Sequence, residues 1–294
     1  MLEPVIVVGD TMVDILARVD APLCIGSDTP ARVQSLGGGS AANVAAWLAH
    51  LGESPILVTR VGDDHLGEIA ARELQAAGVQ LSITRDGSAP TGTCIVLVGA
   101  DAERTMLPDP GANDRLETAD IPRDAFRPGR HLHLSGYALI RGGSRVAALE
   151  ALAAASASGM TVSVDASSAA PLAAAGPDAF LGWCSRAELL LANADEARVL
   201  TGLADPVEAV TALAGRFPLA IVKDGARGAW ACAAGGDAWH AAAAPLVALD
   251  STGAGDAFAA GFLVRWLRGD AVAESLAYAA HVSGRAVSRV GGRP

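Results

Sequence analysis

Asp256 closes a run of small residues, Asp250-Ser251-Thr252-Gly253-Ala254-Gly255-Asp256, whose types and spacing suit the handling of an anion. Beyond it Phe258, Phe262, Leu263, Trp266 and Leu267 recur at helical spacing. Arg265 and Arg268 are expected in the last turn of that helix, with Gly269 as its C′ residue. The run is therefore expected to be a glycine-lined turn at a helix N-terminus, where free N–H groups and the positive end of the dipole coincide and bind anions. Gly253, Ala254 and Gly255 would let a phosphate approach the backbone closely. A carboxylate beside such a site repels the ligand unless it has work to do, such as accepting the proton of a hydroxyl that attacks the phosphate. Taken alone, Asp256 equally fits an ordinary first-turn acid that stabilises the helix dipole.

Other candidates stand at the ends of apolar runs. Asp14 follows Val5-Ile6-Val7-Val8 and Gly9-Asp10 within a few residues, near the carboxyl end of a strand, where open α/β sheets bind ligands; by position alone it reads first as a solvated turn acid. Leu36-Gly37-Gly38-Gly39-Ser40-Ala41-Ala42-Asn43 is a second glycine-rich loop before a helix, whose stripe is Val44, Trp47, Leu48 and Leu51 and whose stop is Gly52. Ser40 is expected to cap this helix, and Asn43, in its first turn, offers a donor and an acceptor to ligand hydroxyls. Asn193-Ala194-Asp195-Glu196 reads first as a capping box, although the same amide and carboxylate suit a hydrated Mg²⁺. Lys223-Asp224-Gly225-Ala226-Arg227-Gly228 is a turn between β-like runs, and its glycines would let backbone approach a nucleotide. His131 and His133 alternate on one strand face and, with no third ligand in view, are expected to be packed or hydrogen-bonded rather than metal-bound. Asp165 ends another strand beside the same cleft.

The elements that must position these groups follow a βα alternation. Strands are expected at Val5–Val8, Ile56–Val58, His131–Leu134, Thr161–Val164, Glu188–Leu191 and Ala220–Val222, with helices between. A helix to about Ala77 should follow Val61-Gly62-Asp63-Asp64. Thr91–Val98 and Thr105–Leu107 around a polar turn at Ala100–Arg104 read as a hairpin, which with part of Ile15–Gln34 would form a small separate sheet. At 294 residues the chain can bury a large core. A net charge of −10 argues against a nucleic-acid surface. No apolar run reaches membrane-spanning length, and the N-terminus lacks a basic n-region. Cys24, Cys94, Cys184 and Cys232 form no CxxC pair, which fits a reduced cytoplasm. There is no GxxxxGK[ST] loop. Gly253-x-Gly255 fails as a dinucleotide fingerprint, because Phe258 holds its sixth position and it lies near the C-terminus.

Together, these motifs resemble the ribokinase-like (phosphofructokinase B) family of sugar and nucleoside kinases, from Val5 to about Gly292. Gly38–Asn43 and Asp250–Phe258 match its two signature regions, Asn193-x-x-Glu196 its magnesium-linked motif, Gly225-x-x-Gly228 its nucleotide-side turn, and Val61–Asp64 an early loop. The resemblance implies one kinase domain over 1–294, a three-layer α/β/α sandwich on a mostly parallel sheet, with a β-sheet lid formed by about 12–35 and 90–110. It implies an ATP-dependent sugar kinase with Asp256 as base and the backbone of Gly253, Ala254, Gly255 and Asp256 as anion hole. Asp14, Gly38, Gly39 and Asn43 would bind the sugar, while Lys223, Gly225 and Gly228 would lie by the nucleotide. Asn193 and Glu196 would hold Mg²⁺ through water. Asp250 and Thr252, with backbone near Ala286 and Gly291, match a monovalent-cation site, for K⁺. Many relatives dimerise through the lid. Ribokinases usually carry Asn where this chain has Met12, and Lys where it has Ser40, which turns expectation away from ribose itself. A nucleoside kinase is the neighbouring alternative; a non-catalytic sugar-binding regulator would not need the acid beside the phosphates.

Overall fold

Val5–Val8 contains no polar position, and in the computed structural model, which describes residues 3–99, 104–245 and 249–294, all four side chains are buried. A run that is apolar on both faces must be covered on both, the condition of a parallel strand inside a layered fold. This strand, β1, lies within a nine-stranded sheet. Chain order gives β2 (Met12–Arg18), β3 (Arg32–Gly38), β4 (Ile56–Gly62), β5 (Gln80–Asp86), β6 (Gly92–Val98) and β7 (Arg104–Asp109). There follow β8 (His131–Ser135), β9 (Thr161–Asp165), β10 (Leu189–Asn193), β11 (Leu219–Lys223), β12 (Ala229–Ala233) and β13 (Ala238–Ala241). The large sheet runs β13-β12-β11-β10-β9-β8-β1-β4-β5, parallel from β11 to β5 and antiparallel over its last two strands.

Alternate residues of these strands enter two separate cores. Ile6, Val8, Leu132, Leu134 and Leu190 pack beneath α3 (Tyr137–Ile140), α4 (Arg145–Ala157), α5 (Ala169–Ala175), α6 (Pro177–Trp183), α7 (Ala194–Thr201) and α8 (Pro206–Ala214). Val5, Val7, Leu57, Leu191 and Ile221 pack beneath α1 (Ser40–His50), α2 (His65–Ala76), α9 (Ala254–Trp266) and α10 (Val272–Val287). The expected three-layer α/β/α architecture is the one found. The smaller sheet, β3-β2-β6-β7, stands apart with its own cluster of Met12, Leu16, Cys94, Val96 and Val98.

Several expected boundaries move. The helix from Ala254 ends at Trp266, because Arg268 N–H bonds the Arg265 carbonyl and Gly269 N–H that of Trp266, tightening the last turn. Arg268 therefore lies outside the helix, and Gly269 (φ 87°) takes the left-handed position two residues past the cap Leu267. β5 and β13 were not expected. Most of the expected polar turn at Ala100–Arg104, residues 100–103, lies outside the described residues.

Candidate active site

α9 and α1 start side by side, and each start needs a glycine. Gly253 (φ 71°) is the N-cap of α9, and a Cβ there would collide with the backbone of Gly292. The amides of Gly255 and Asp256 lie in the first turn of α9, the part of a helix whose N–H groups point out of its end; Ala254 N–H reaches the Ser251 carbonyl at 3.3 Å. Gly39 (φ 91°) is the N-cap of α1, and a Cβ there would stand 2.6 Å from the Asp10 carbonyl oxygen. Ser40 does not cap α1 as expected. The Asp10 carboxylate, 30 residues earlier, takes the amides of Ser40 and Ala41 at 3.3 and 3.4 Å, which frees the serine hydroxyl.

That hydroxyl donates to Asp256 Oδ1 at 2.8 Å, and Asn43 Nδ2 donates to Oδ2 at 2.9 Å. Both glycine-rich loops thus converge on one carboxylate. Burial pushes the Asp256 carboxyl up to about 7, and Asp165 adds to the rise, while the bonds from Asn43 and Ser40 and the charge of Lys223 oppose it. An acid balanced there exchanges protons near neutrality.

Asp14 lies within β2 on the smaller sheet, paired with Leu36 and facing Gly38, where a Cβ would collide with its carboxylate. Burial raises Asp14 to about 6, against the Arg293 guanidinium and with help from Asp10 and Asp250. Asp14 therefore stands against Gly38, next in the chain to the Gly39 cap of α1. Met12 is buried in the small sheet's cluster.

Asp165, Asn193 and Lys223 end three adjacent parallel strands. Lys223 Nζ lies 2.6 Å from Asp165 Oδ2 and 3.3 Å from where a Cβ on Gly255 would sit, so its ammonium stands beneath the start of α9. Asn193 and Glu196 form the expected capping box: Glu196 N–H donates to Asn193 Oδ1 at 2.8 Å, and the Asn193 amide N–H donates back to Glu196 Oε2 at 2.7 Å. The Glu196 carboxyl, 1% exposed, is raised to about 7 by burial and by Asp165. Three carboxyls, Asp165, Glu196 and Asp256, thus face Lys223 as their cation. A divalent ion would fit this acid excess. In the turn beyond Lys223, Gly225 (φ 57°) faces open space, whereas a Cβ on Gly228 (φ 96°) would collide with Ala241, so Gly228 is required by β13.

Asp250 accepts Thr252 N–H at 2.6 Å and Gly291 N–H at 2.9 Å, while the Ala286 carbonyl receives Arg289 N–H at 3.1 Å. Asp250 thus joins Thr252 and Gly291, and its own N–H donates to the Val287 carbonyl at 3.2 Å, next to Ala286 at the end of α10. His131 and His133 share the Ser163 hydroxyl at 2.7 and 2.8 Å, and burial pushes both well below the usual histidine range. Among the described residues no group of three or more His, Cys, Asp or Glu is placed to hold a metal ion.

Residues 292 and 293 carried no sequence expectation of contact, yet they tie the site together. Gly292 O accepts Trp47 Nε1–H at 3.0 Å, a Cβ on Gly292 would stand 2.5 Å from Asn43 Nδ2, and Arg293 Nη2 donates to Gly38 O at 2.9 Å. The adjacent glycines Gly291 and Gly292 were the only sequence signal of so close an approach.

Residues 3–294 match the pfkB family carbohydrate kinase profile. The chain is 34% identical over 273 residues to a fructokinase of Escherichia coli, covering 90% of this chain and 84% of that one. It superposes on the adenosine kinase of Sinorhizobium meliloti with a TM-score of 0.91 at 27% identity, covering 100% and 96% of the two chains. The fructokinase of Vibrio cholerae in its fructose, ADP and calcium ion bound form gives 0.84 at 26% identity, covering 99% and 94%. Among the described residues no helix is long and apolar enough to cross a membrane. A match of this extent, with both signature loops meeting at Asp256, makes the chain a member of the pfkB family of carbohydrate kinases.

Proposed function

We propose that residues 1–294 act as one ATP-dependent sugar kinase domain, moving the γ-phosphoryl group of ATP to a hydroxyl of a small sugar. The observation that carries the reading is Asp256, a carboxylate balanced at about 7 in the first turn of a helix with a glycine N-cap, a terminus suited to an anion. Asp14 and Asn43 orient the sugar beside it, on the backbone of Gly38 and Gly39. Asp256 accepts the proton of the attacking hydroxyl, and the amides from Gly253 to Asp256 take the charge that grows on the phosphoryl oxygens. Asn193 and Glu196 hold Mg²⁺ through its waters; the ion, when bound, neutralises phosphate charge and favours the ionised forms of Glu196 and Asp256. Lys223, Gly225 and Gly228 border the nucleotide. Asp250, Thr252 and the backbone near Ala286 and Gly291 form a monovalent-cation site, suited to K⁺.

We place the smaller sheet over the cleft as a lid, since Met12, Asp14 and Cys94 share its inner face. Its outer face carries Val33, Ile95 and Leu107, 64%, 44% and 52% exposed, which supports a homodimer through the lid. Four free thiols suit a cytoplasmic enzyme. A nucleoside acceptor is the second reading, favoured by the likeness to an adenosine kinase and by the apolar Met12, Cys94 and Val96 beside Asp14.

The test is ADP release with Mg-ATP and K⁺ across hexoses, pentoses, deoxy-keto acids and nucleosides, run beside Asp256→Asn. A sugar hit that falls by orders of magnitude in the variant, with ATP binding kept, supports the reading. A nucleoside hit moves the acceptor class, and equal rates in both proteins remove Asp256 from the base role.

A further inference from the structure

Asp165 has no task in the reaction as described, and Lys223, its partner, only borders the nucleotide there. Their side chains are 7% and 14% exposed, and the contact is 2.6 Å. Such a buried pair is weak grounds for stability, because desolvating both ions offsets most of their attraction. The pair also spans β9 and β11, with β10 between them, so the lysine reaches across a neighbouring strand rather than to solvent. Its ammonium ends beneath the start of α9, where Gly255 leaves the space that a Cβ would crowd at 3.3 Å.

The acid partner is held in place by backbone strain. Ser167 is the single non-glycine with positive φ (74°) among the described residues. That conformation brings its N–H to Asp165 Oδ1 at 3.0 Å and its hydroxyl toward the Asp165 carbonyl and Tyr137 N–H. Strain of this kind persists where the surroundings impose it, and it collects at functional sites. Asp165 thus presents Oδ2 to Lys223 in one fixed orientation.

We propose that Lys223 is a catalytic residue for phosphoryl transfer, binding the γ-phosphoryl oxygens from beneath α9, and that Asp165 is the positioning residue that aims it. This rests on the kinase reading above. In the step, the substrate oxygen forms its bond to Pγ while its proton passes to Asp256. The bond from Pγ to the β–γ bridging oxygen breaks, and that electron pair leaves with ADP. Lys223 stays protonated throughout; its N–H groups turn from Asp165 toward the oxygens where charge accumulates, opposite the backbone amides of α9. The small helix start and the long lysine then form two sides of one anion cradle, and either alone leaves the transferring group half neutralised.

The test compares Lys223→Met, Lys223→Arg and the double variant Asp165→Asn/Lys223→Met, which removes both buried charges together and guards against misfolding of the first. Affinities for ADP and for the β,γ-methylene analogue of ATP are measured by calorimetry without any acceptor, and kcat with the best acceptor. Loss of a preorganised donor to the developing charge predicts a fall in kcat of about 100-fold or more. The ATP analogue should bind about 10-fold more weakly while ADP, lacking the γ-phosphoryl, changes by less than about 2-fold; arginine should restore part of both losses. Equal weakening of ADP and ATP analogue, or a kcat within about 3-fold of wild type in the Met and double variants, overturns the proposal. The affinity comparison needs no sugar, so absence of phosphoryl transfer by the wild type would sink the kinase reading while the lysine assignment is still decided by binding.

Discussion

Ser40→Ala tests whether the serine hydroxyl sets the working range of the base. The substitution removes the 2.8 Å bond to Asp256 Oδ1 and little else, since the Ser40 amide, not its side chain, serves α1. Alanine is also the better helix former at that position. A hydrogen bond to a charged group contributes about 1.5–3 kcal/mol, and the lower end applies to the half-buried Asp256. At about 1.4 kcal/mol per unit, the carboxyl should rise by about one unit from its value of about 7. With the base required in its ionised form, the active fraction at pH 6 falls from about 0.09 to about 0.01, while at pH 9 it falls only from about 0.99 to about 0.91. The assay is kcat/KM for the phosphorylated sugar from pH 5.5 to 9.5. An acid limb displaced upward by about one unit, with near-wild-type rates at high pH, agrees with the argument. A uniform loss at every pH would refute it, because the hydroxyl would then be holding substrate or geometry rather than the proton affinity of Asp256.

Gly292→Ala should raise the sugar KM by about 10-fold or more and lower kcat as well, because the added methyl would stand 2.5 Å from Asn43 Nδ2 and displace the amide that holds Asp256; unchanged steady-state constants would show that the contact is slack. Asp256→Asn should be more stable than wild type above pH 7 and no different near pH 4. The aspartate's folded value is raised to about 7 from 3.8, so its contribution is lost as pH rises through that window, and thermal unfolding of the two proteins at several pH values reads the gap directly. Replacing K⁺ by Na⁺ should slow the enzyme, through the loop of Asp250 and Thr252 that adjoins the start of α9; equal rates in both salts would remove the monovalent ion from the mechanism.

What could be read in the sequence was local. The Gly253–Asp256 turn, the Asn193–Glu196 capping box and the all-apolar β1 are each set by contiguous residues, and each is found as expected. β5 escaped because its Gln80, Ser82, Thr84 and Arg85 give it no apolar run, as suits the edge of a sheet. The site itself depends on pairs far apart in the chain: Ser40 and Asn43 meet Asp256 across 216 and 213 residues, and Asp10 replaces the serine as cap of α1. No spacing rule within one sequence encodes those meetings. Gly228 shows a demand that its motif does not encode: a Cβ there would collide with Ala241, so the passage of β13 also requires a glycine.

Residues 291–293 have a consequence for how the enzyme would fail. They hold Asp250, Trp47, Asn43 and Gly38 through backbone groups and one arginine, and Gly291 and Gly292 bring no side chain to the core. A segment secured in this way opens at a lower free energy than the strands and helices beneath it. Heat should therefore release this strap first, and catalysis would stop while the sandwich is still folded, returning on cooling. Bound sugar and nucleotide, by fixing Asn43 and the start of α9 against Gly292, would draw the temperature of inactivation up toward that of unfolding.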